Sequence, residues 1–265
     1  MRQVATAEAL MSMRVCVPDE GKVEGRVQDV PYRTELFRRD ARQAETLDFI
    51  LGRIPRDSGL SAVIAGCSIG AEADSLLSLY DRSGREGRAE VVGLDASRTA
   101  VEAARRGLYR LYNHIIFGSE EDVAGKRVLD EEEFLADMGF TTSREHNEHP
   151  TFSAASIIVD AAPVRQGHAV RFVAHDAAEP LPVSGEVDLA QASNLLYHLD
   201  ADRAIRIARN MADILADRGV LSFGSVGSYY FNKETKAPME AALYDDFGLE
   251  PVAIATEDLM IYARP

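Results

Sequence analysis

The strongest constraint on this chain is an ordered alternation between Ser61 and Arg106. A short apolar run, Ser61-Ala-Val-Ile-Ala65, ends in a turn carrying Gly66, Ser68 and Gly70, and a helix-like stretch follows from Ala71 to Tyr80. After a polar, Gly-rich loop from Asp81 to Arg88, a second run, Val91-Val-Gly-Leu94, closes on Asp95 and leads into an Ala-rich helical stretch from Arg98 to Arg106. Short continuous apolar runs fit strands buried on both faces. Parallel strands need a crossover, which a helix supplies. The order strand, turn, helix, strand, acid, helix therefore predicts a parallel sheet of βαβ units.

The alternation resumes near the middle of the chain. Val170-Arg-Phe-Val-Ala174 precedes Asp176, and Val187-Asp-Leu-Ala190 leads to Ser193-Asn194. A helix from Ala201 to Ala216 would put Ile205, Ala208, Met211, Ala212 and Leu215 on one face, with Asp200 as N-cap. Gly219-Val-Leu-Ser-Phe223 is a fifth strand. Leu249 to Ala255 and Leu259 to Ala263, joined by Thr256-Glu-Asp258, read as an antiparallel hairpin. The expected fold class is α/β and Rossmann-like: the mostly parallel, seven-stranded sheet of class I methyltransferases with a C-terminal antiparallel hairpin.

Two segments stand outside this pattern. Residues 1–55 read as an N-terminal helical segment or lid, in which Leu36, Phe37, Ala44, Leu47, Ile50 and Leu51 recur at helical spacing before Pro55 stops the helix. The main domain then runs from 56 to 265, with an inserted subdomain at about 109–167. That insertion mixes charges, aromatic residues and one strand candidate, Ser156 to Val159. A structureless loop of such length would be unusual inside a compact domain.

Composition narrows the function classes. Lys and Arg number 29 against 43 Asp and Glu, a formal charge of −14, which argues against nucleic acid as partner. No window approaches the ~20 consecutive apolar residues of a spanning helix, and the N-terminus lacks an apolar signal core. A cytoplasmic protein without membrane partner is expected. Cys16 and Cys67 are too few for a disulfide scaffold, and His146-Asn-Glu-His149 in a polar stretch lacks a third ligand, so no metal is expected.

The candidate chemistry lies at strand ends. Gly66, Cys67 and Gly70 form a G-x-x-x-G turn in which the backbone can approach a ligand and the next helix presents free N–H groups. It is not the G-x-G-x-x-G of nicotinamide or flavin sites. Asp95 is placed to accept from ribose hydroxyls, or else to cap the following helix. Asp176 would accept from an adenine amino group, or else forms a turn before Ala177. Asn194 follows the fourth strand, in the crevice where open α/β sheets bind ligands. Tyr197 and His198 sit next, where an acceptor would lie, and His198 could serve as general base or merely flank the next helix.

These residues resemble the chemotaxis receptor glutamate methyltransferases (CheR). Thr34-Glu-Leu-Phe-Arg38 is similar to the family's T-x-F-F-R, Cys67-Ser-Ile-Gly-Ala-Glu72 to its C/A-S-T-G-E-E turn, and Leu94-Asp-Ala-Ser97 with Glu102-Ala-Ala-Arg-Arg-Gly-Leu-Tyr109 to its D-I-D-x-x-x-L-x-x-A-R-x-G-x-Y. Val170 to Asp176 resembles V-x-F-x-x-x-N/D-L, and Val187-Asp-Leu with Ser193-Asn-Leu-Leu196 resembles F-D-x-I-x-C-R-N-V-L. The resemblance runs from about Thr34 to Gly224 and implies S-adenosyl-L-methionine as cofactor and methyl transfer as reaction. It places Thr34 and Arg38 near cofactor and acceptor, Glu72 at the methionine amino group, Asp95 at ribose, Asp176 with Ala177 near adenine, and Asn194 with Leu195 along the cofactor.

The departures fall mostly on the acceptor side. Ala71 replaces the first Glu of the turn, Tyr32 an Asn, Ser193 an Arg, and His198 the family's tyrosine, with Tyr197 one position away. About thirty residues precede the match, so the family's receptor-docking helical domain is not expected here. The pattern implies a methyltransferase with a changed acceptor, a carboxylate or hydroxyl of a small molecule. Arg38 would orient a carboxylate, and Tyr197 or His198 would deprotonate a hydroxyl. A protein-glutamate methyltransferase and a non-catalytic cofactor-binding module are the alternatives.

Overall fold

A computed structural model describes residues 14–15, 40–55, 58–112, 135–145, 156–193, 195–196, 199–224, 233–252 and 259–265. In chain order the strands are β1 (Arg14–Val15), β2 (Leu60–Ala65), β3 (Ala89–Asp95), β4 (Leu108–Tyr112), β5 (Thr141–Glu145), β6 (Ser156–Asp160), β7 (Ala169–Ala174), β8 (Val183–Ser184), β9 (Val187–Gln191), β10 (Leu215–Gly224), β11 (Glu250–Pro251) and β12 (Leu259–Ala263). The helices are α1 (Asp40–Arg53), α2 (Ala71–Arg82), α3 (Arg98–Arg106), α4 (Ala162–Arg165), α5 (Ala201–Asp213) and α6 (Lys233–Phe247).

The main sheet has seven strands in the order β11-β12-β10-β9-β2-β3-β7. Pairings from β10 through to β7 are parallel, and β12 runs antiparallel to both β10 and β11. The chain first builds outward from β2 through β3 to β7, then jumps to β9 on the other side of β2. That reversal opens a crevice beyond the carboxyl ends of β2 and β9, the place where open α/β sheets bind ligands. The expected Rossmann-like sheet with a C-terminal antiparallel hairpin is what the chain forms. Pro251 sits on the two-residue edge strand, where its missing N–H costs no ladder bond.

Each face of the sheet carries its own core. Leu47, Ile50 and Leu51 of α1, Leu76, Leu77 and Tyr80 of α2, and Val101 and Ala104 of α3 bury one face. Ile207, Ala208 and Met211 of α5, with Met239 and Leu243 of α6, bury the other. The i, i+3, i+4 spacing in α1 is what lets a single helix face reach the sheet. Two helices start on the caps their sequences offer. Ser97 Oγ accepts from the Ala100 N–H at 3.2 Å, and Asp200 Oδ1 from the Arg203 N–H at 2.8 Å.

The stretch between α3 and β7 holds more order than one strand candidate implies. β4, β6 and β5 form an antiparallel sheet in which both Leu108 and Thr141 sit opposite Asp160. Thr141–Glu145 is polar throughout, so it lacks the apolar signal of a strand, yet its backbone pairs fully with β6. A small core of Leu135, Met138, Phe140, Val159 and Val164 packs against Ile69 and Ala71 of the glycine turn. The insertion therefore stands beside the crevice. A second addition is α6, a helix with Pro238 in its interior, in a stretch to which the sequence pattern assigns nothing.

Candidate functional site

The first segment of the site is the turn after β2. Gly66 has φ +70° and Gly70 has φ +87°, both in the left-handed region that glycine enters without strain. Ser68 adopts φ +51°, uncommon for a residue with a side chain. The turn is anchored to the neighbouring strand. The Cys67 N–H donates to Leu94 O at 3.0 Å, and the Ser68 N–H donates to Asp95 Oδ2 at 2.8 Å. The other Asp95 oxygen accepts from the Ser97 N–H at 2.8 Å.

Asp95 thus joins two loops at the ends of β2 and β3. Burial pushes its carboxyl pKa up, and the Ser97 and Ser68 N–H bonds pull the other way. Each carboxylate oxygen has two lone-pair directions, so each retains acceptor capacity after these backbone bonds. The expected roles of strand-end acceptor and local loop former are compatible in one side chain.

α2 begins directly after the turn with Gly70 at its N-cap, which offers no side-chain cap. No side-chain cap from Gly70 closes its first turn, and the positive end of its dipole favours negative charge there. In its first turn, Glu72 reaches across the reversal point of the sheet. Gln191 Nε2, at the end of β9, donates to Glu72 Oε1 at 2.9 Å and to Ser193 Oγ at 3.0 Å. Gln191 and Ser193 are both buried. Gln191 was not among the sequence candidates, though a polar residue closing the run Val187-Asp-Leu-Ala190 was a usable signal.

Leu195 closes the same crevice from above. A Cβ placed on Gly66 would lie 3.3 Å from Leu195 side-chain atoms, so the segment after β9 rests directly on the turn. Cys67 is buried and faces Gly93, where an added Cβ would come within 2.9 Å of its Sγ. Burial and the nearby Asp95 and Glu72 carboxylates push its thiol well above the usual range, which suits packing and not nucleophilic work.

Asp176 and Ala177 lie one strand further out, linked to Asp95 by the His175 N–H, which donates to Asp95 O at 2.8 Å. Asp176 Oδ1 accepts from the Ala178 N–H at 3.0 Å, and Oδ2 accepts from Arg203 Nη2 of α5 at 2.5 Å. Partial burial would raise its pKa, but these two bonds and the Arg203 charge outweigh it and hold it below the usual range. Asn210 Nδ2 further pins the segment through Ala177 O and Glu179 O at 3.0 and 2.9 Å. The turn-forming role expected of Asp176 is present.

His175 is a second residue the sequence reading passed over. Its Nε2 is buried and has no hydrogen-bond partner among the described residues, just past the carboxyl end of β7. Together the glycine turn, the uncapped start of α2, the spare acceptor directions of Asp95 and this buried nitrogen fit an adenosyl group carrying a charged tail. Thr34, Arg38, Asn194, Tyr197 and His198 lie outside the described residues, as do His146 and His149. Among the described residues no cluster of His, Cys, Asp or Glu could hold a metal ion, and no helix is long and apolar enough to cross a membrane.

No protein-family model matches the chain, and no curated protein does. Among solved structures it is similar to the magnesium protoporphyrin IX methyltransferase of Synechocystis PCC 6803 with bound S-adenosylmethionine, at 15% identity and TM-score 0.43, over 91% of this chain and 88% of that one. It is also similar to a TehB-like methyltransferase of Corynebacterium glutamicum, at 12% identity and TM-score 0.46, over 84% and 87% of the two chains. A third likeness is to the N-methyltransferase NodS of Bradyrhizobium japonicum WM9, at 15% identity and TM-score 0.45, over 85% and 95%.

Proposed function

We propose that this chain is an S-adenosyl-L-methionine-dependent methyltransferase acting on a small molecule. The observation that carries the reading is Asp95. It stands at the end of β3 and holds the Ser68 N–H of the glycine turn, beside an α2 N-terminus with no side-chain cap and next to the point where strand order reverses. In this reading the remaining acceptor directions of Asp95 take the ribose hydroxyls. Glu72 receives the amino group of the methionine tail, joining or displacing Gln191. His175 Nε2 and the Asp176–Ala177 segment border the adenine, and Gly66, Cys67 and Gly70 keep the turn open beneath the tail.

The bound cofactor would supply an already activated methyl group. The protein's share is to orient an acceptor and exclude water. The insertion suits the second task, since its core rests on Ile69 and Ala71 at the rim of the crevice. Acceptor contacts fall to Arg38, Tyr197 and His198, while Asn194 and Leu195 run along the cofactor. A carboxylate acceptor would need only the Arg38 cation, while a hydroxyl would need His198 or Tyr197 as base.

The finer reading is a CheR-like enzyme with an altered acceptor. It is supported by the motif order along the chain and by a small antiparallel sheet, β4-β6-β5, at the point where that family carries a subdomain. The testing experiment is titration calorimetry with S-adenosylhomocysteine. We expect binding by the native chain and a loss of about a hundredfold or more in Asp95→Ala, as expected when a partly buried charged acceptor is removed. Equal affinity in the variant would overturn the site. Release of methanol by mild base from a methylated product would mark the acceptor as a carboxylate.

A further inference from the structure

β7 is the last strand of the main sheet, and among the described residues no strand pairs with its outer side. A groove of ≈ 460 Å³ runs along that side, and three arginines from three different elements line it: Arg105 of α3, Arg165 of α4 and Arg171 of β7 itself. In a chain of formal charge −14 this is a local concentration of positive charge on a strand edge that no other described strand covers, with Arg105 Nε resting on its Phe172 carbonyl.

The three guanidiniums are held differently. Arg165 is committed: it pairs with Asp74 at 2.7 and 2.8 Å, donates to Ala104 O, and lies 4.9 Å from the centre of the Phe172 ring. Arg105 donates only Nε, to Phe172 O at 3.0 Å, and its terminal nitrogens have no partner among the described residues. Arg171 gives one nitrogen to Glu90 at 2.6 Å, and its side chain is 42% exposed.

The alternation of a strand sorts these cations onto two faces. Phe172 belongs to the core beneath α3 and Val173 to the opposite core, so Arg171 stands on the Val173 face while Arg105 approaches from the Phe172 face. An added strand would therefore meet one cation above the sheet and one below it. Consecutive residues of an extended peptide also point to opposite faces.

We propose that the outer edge of β7 docks an extended acidic segment of a partner protein, whose adjacent carboxylates meet Arg171 on one face and Arg105 on the other. Main-chain bonds to β7, with a partner N–H replacing Arg105 Nε at Phe172 O as Arg105 turns to the acid, would give affinity, and the paired acids would give register. A second copy of this chain is the poorer occupant. Pairing two β7 edges would bring like charges together, an arrangement that edge strands use to prevent self-association. This surface is independent of the methyl-transfer reading.

The test uses the full chain and a labelled peptide of roughly ten residues that repeats Val-Glu-Asp, compared with one in which prolines replace the valines at unchanged charge. Fluorescence anisotropy should show saturable binding of the first peptide, and binding about tenfold or more weaker for the proline version. The Arg105→Ala/Arg171→Ala double variant should show the same loss for the first peptide, and amide exchange over 169–174 should slow when it binds. Equal binding of both peptides would reduce the effect to bulk charge and overturn strand docking. Absence of binding at low salt, or a native dimer in sedimentation that peptide does not dissociate and that the double variant abolishes, would overturn it as well. The proline comparison is made on the native chain, so it stands even if the double variant folds poorly.

Discussion

Asp74 and Arg165 form a two-point ion pair, with Oδ1 to Nε at 2.7 Å and Oδ2 to Nη2 at 2.8 Å, that fastens the return of the insertion to α2. Asp74 has no exposed surface, and the Arg165 side chain is 17% exposed. Gly107, at φ +66° after α3, makes room for the pair, since a Cβ there would lie 2.9 Å from Arg165 Nη1. The pair ties three elements together at one buried point, so its loss should be felt across the insertion.

Arg165→Ala should lower unfolding stability by about 3 kcal/mol at pH 8, because it strands a buried carboxylate without its partner. Urea unfolding of native and variant chains measures the difference. The loss should shrink at pH 5, where a protonated Asp74 no longer needs a counter-ion. A loss below about 1 kcal/mol at pH 8 would show the pair to be dispensable.

Burial pushes the Asp74 carboxyl from 3.8 up to about 6, with Arg165 limiting the rise. The folded chain thus keeps a proton that the unfolded chain has released. Stability from this group is fully present below about pH 3.8 and is lost as pH rises through about 6. The full span corresponds to about 3 kcal/mol. Subtracting the pH dependence of an Asp74→Asn variant from that of the native chain should reveal a component that falls from about pH 3.8 to about pH 6, between the unfolded and folded values, and is flat above. A flat difference would contradict the burial argument.

Gly70→Ala should destabilise the chain by about 3 kcal/mol, combining the cost of a left-handed backbone with overpacking. Its Cβ would come within 2.8 Å of the Phe172 ring and 2.9 Å of Ala104 Cβ at φ +87°. Thermal unfolding with and without S-adenosylhomocysteine would read both the loss and its effect on the site. A variant as stable as the native chain would mean that the turn has another conformation.

Cys67 should resist alkylation in the folded chain. Burial and two flanking carboxylates keep it a thiol, and its side chain is almost fully enclosed. Mass spectrometry after iodoacetamide at pH 8 should find Cys67 unmodified until denaturant is added. Rapid modification of the native chain would show that the glycine turn opens.

The central strands, in chain order, and the residues at their ends can be read from the amino-acid pattern alone. Leu60–Ala65 and Ala89–Asp95 are legible because strands buried on both faces must be continuously apolar, and a break into Gly66 or Asp95 marks where each leaves the sheet. Asp200 is legible because a helix start makes local demands on its own neighbours. Thr141–Glu145 was hidden because its pairing is carried by backbone groups, which every residue has. That Gln191 meets Glu72, that Arg203 holds Asp176, and that Arg165 pairs with Asp74 across 91 positions of chain follows from the folded arrangement and not from local pattern. Such contacts depend on which elements the topology brings side by side, and a polar side chain's partner across the fold leaves no periodic trace in the residues around it.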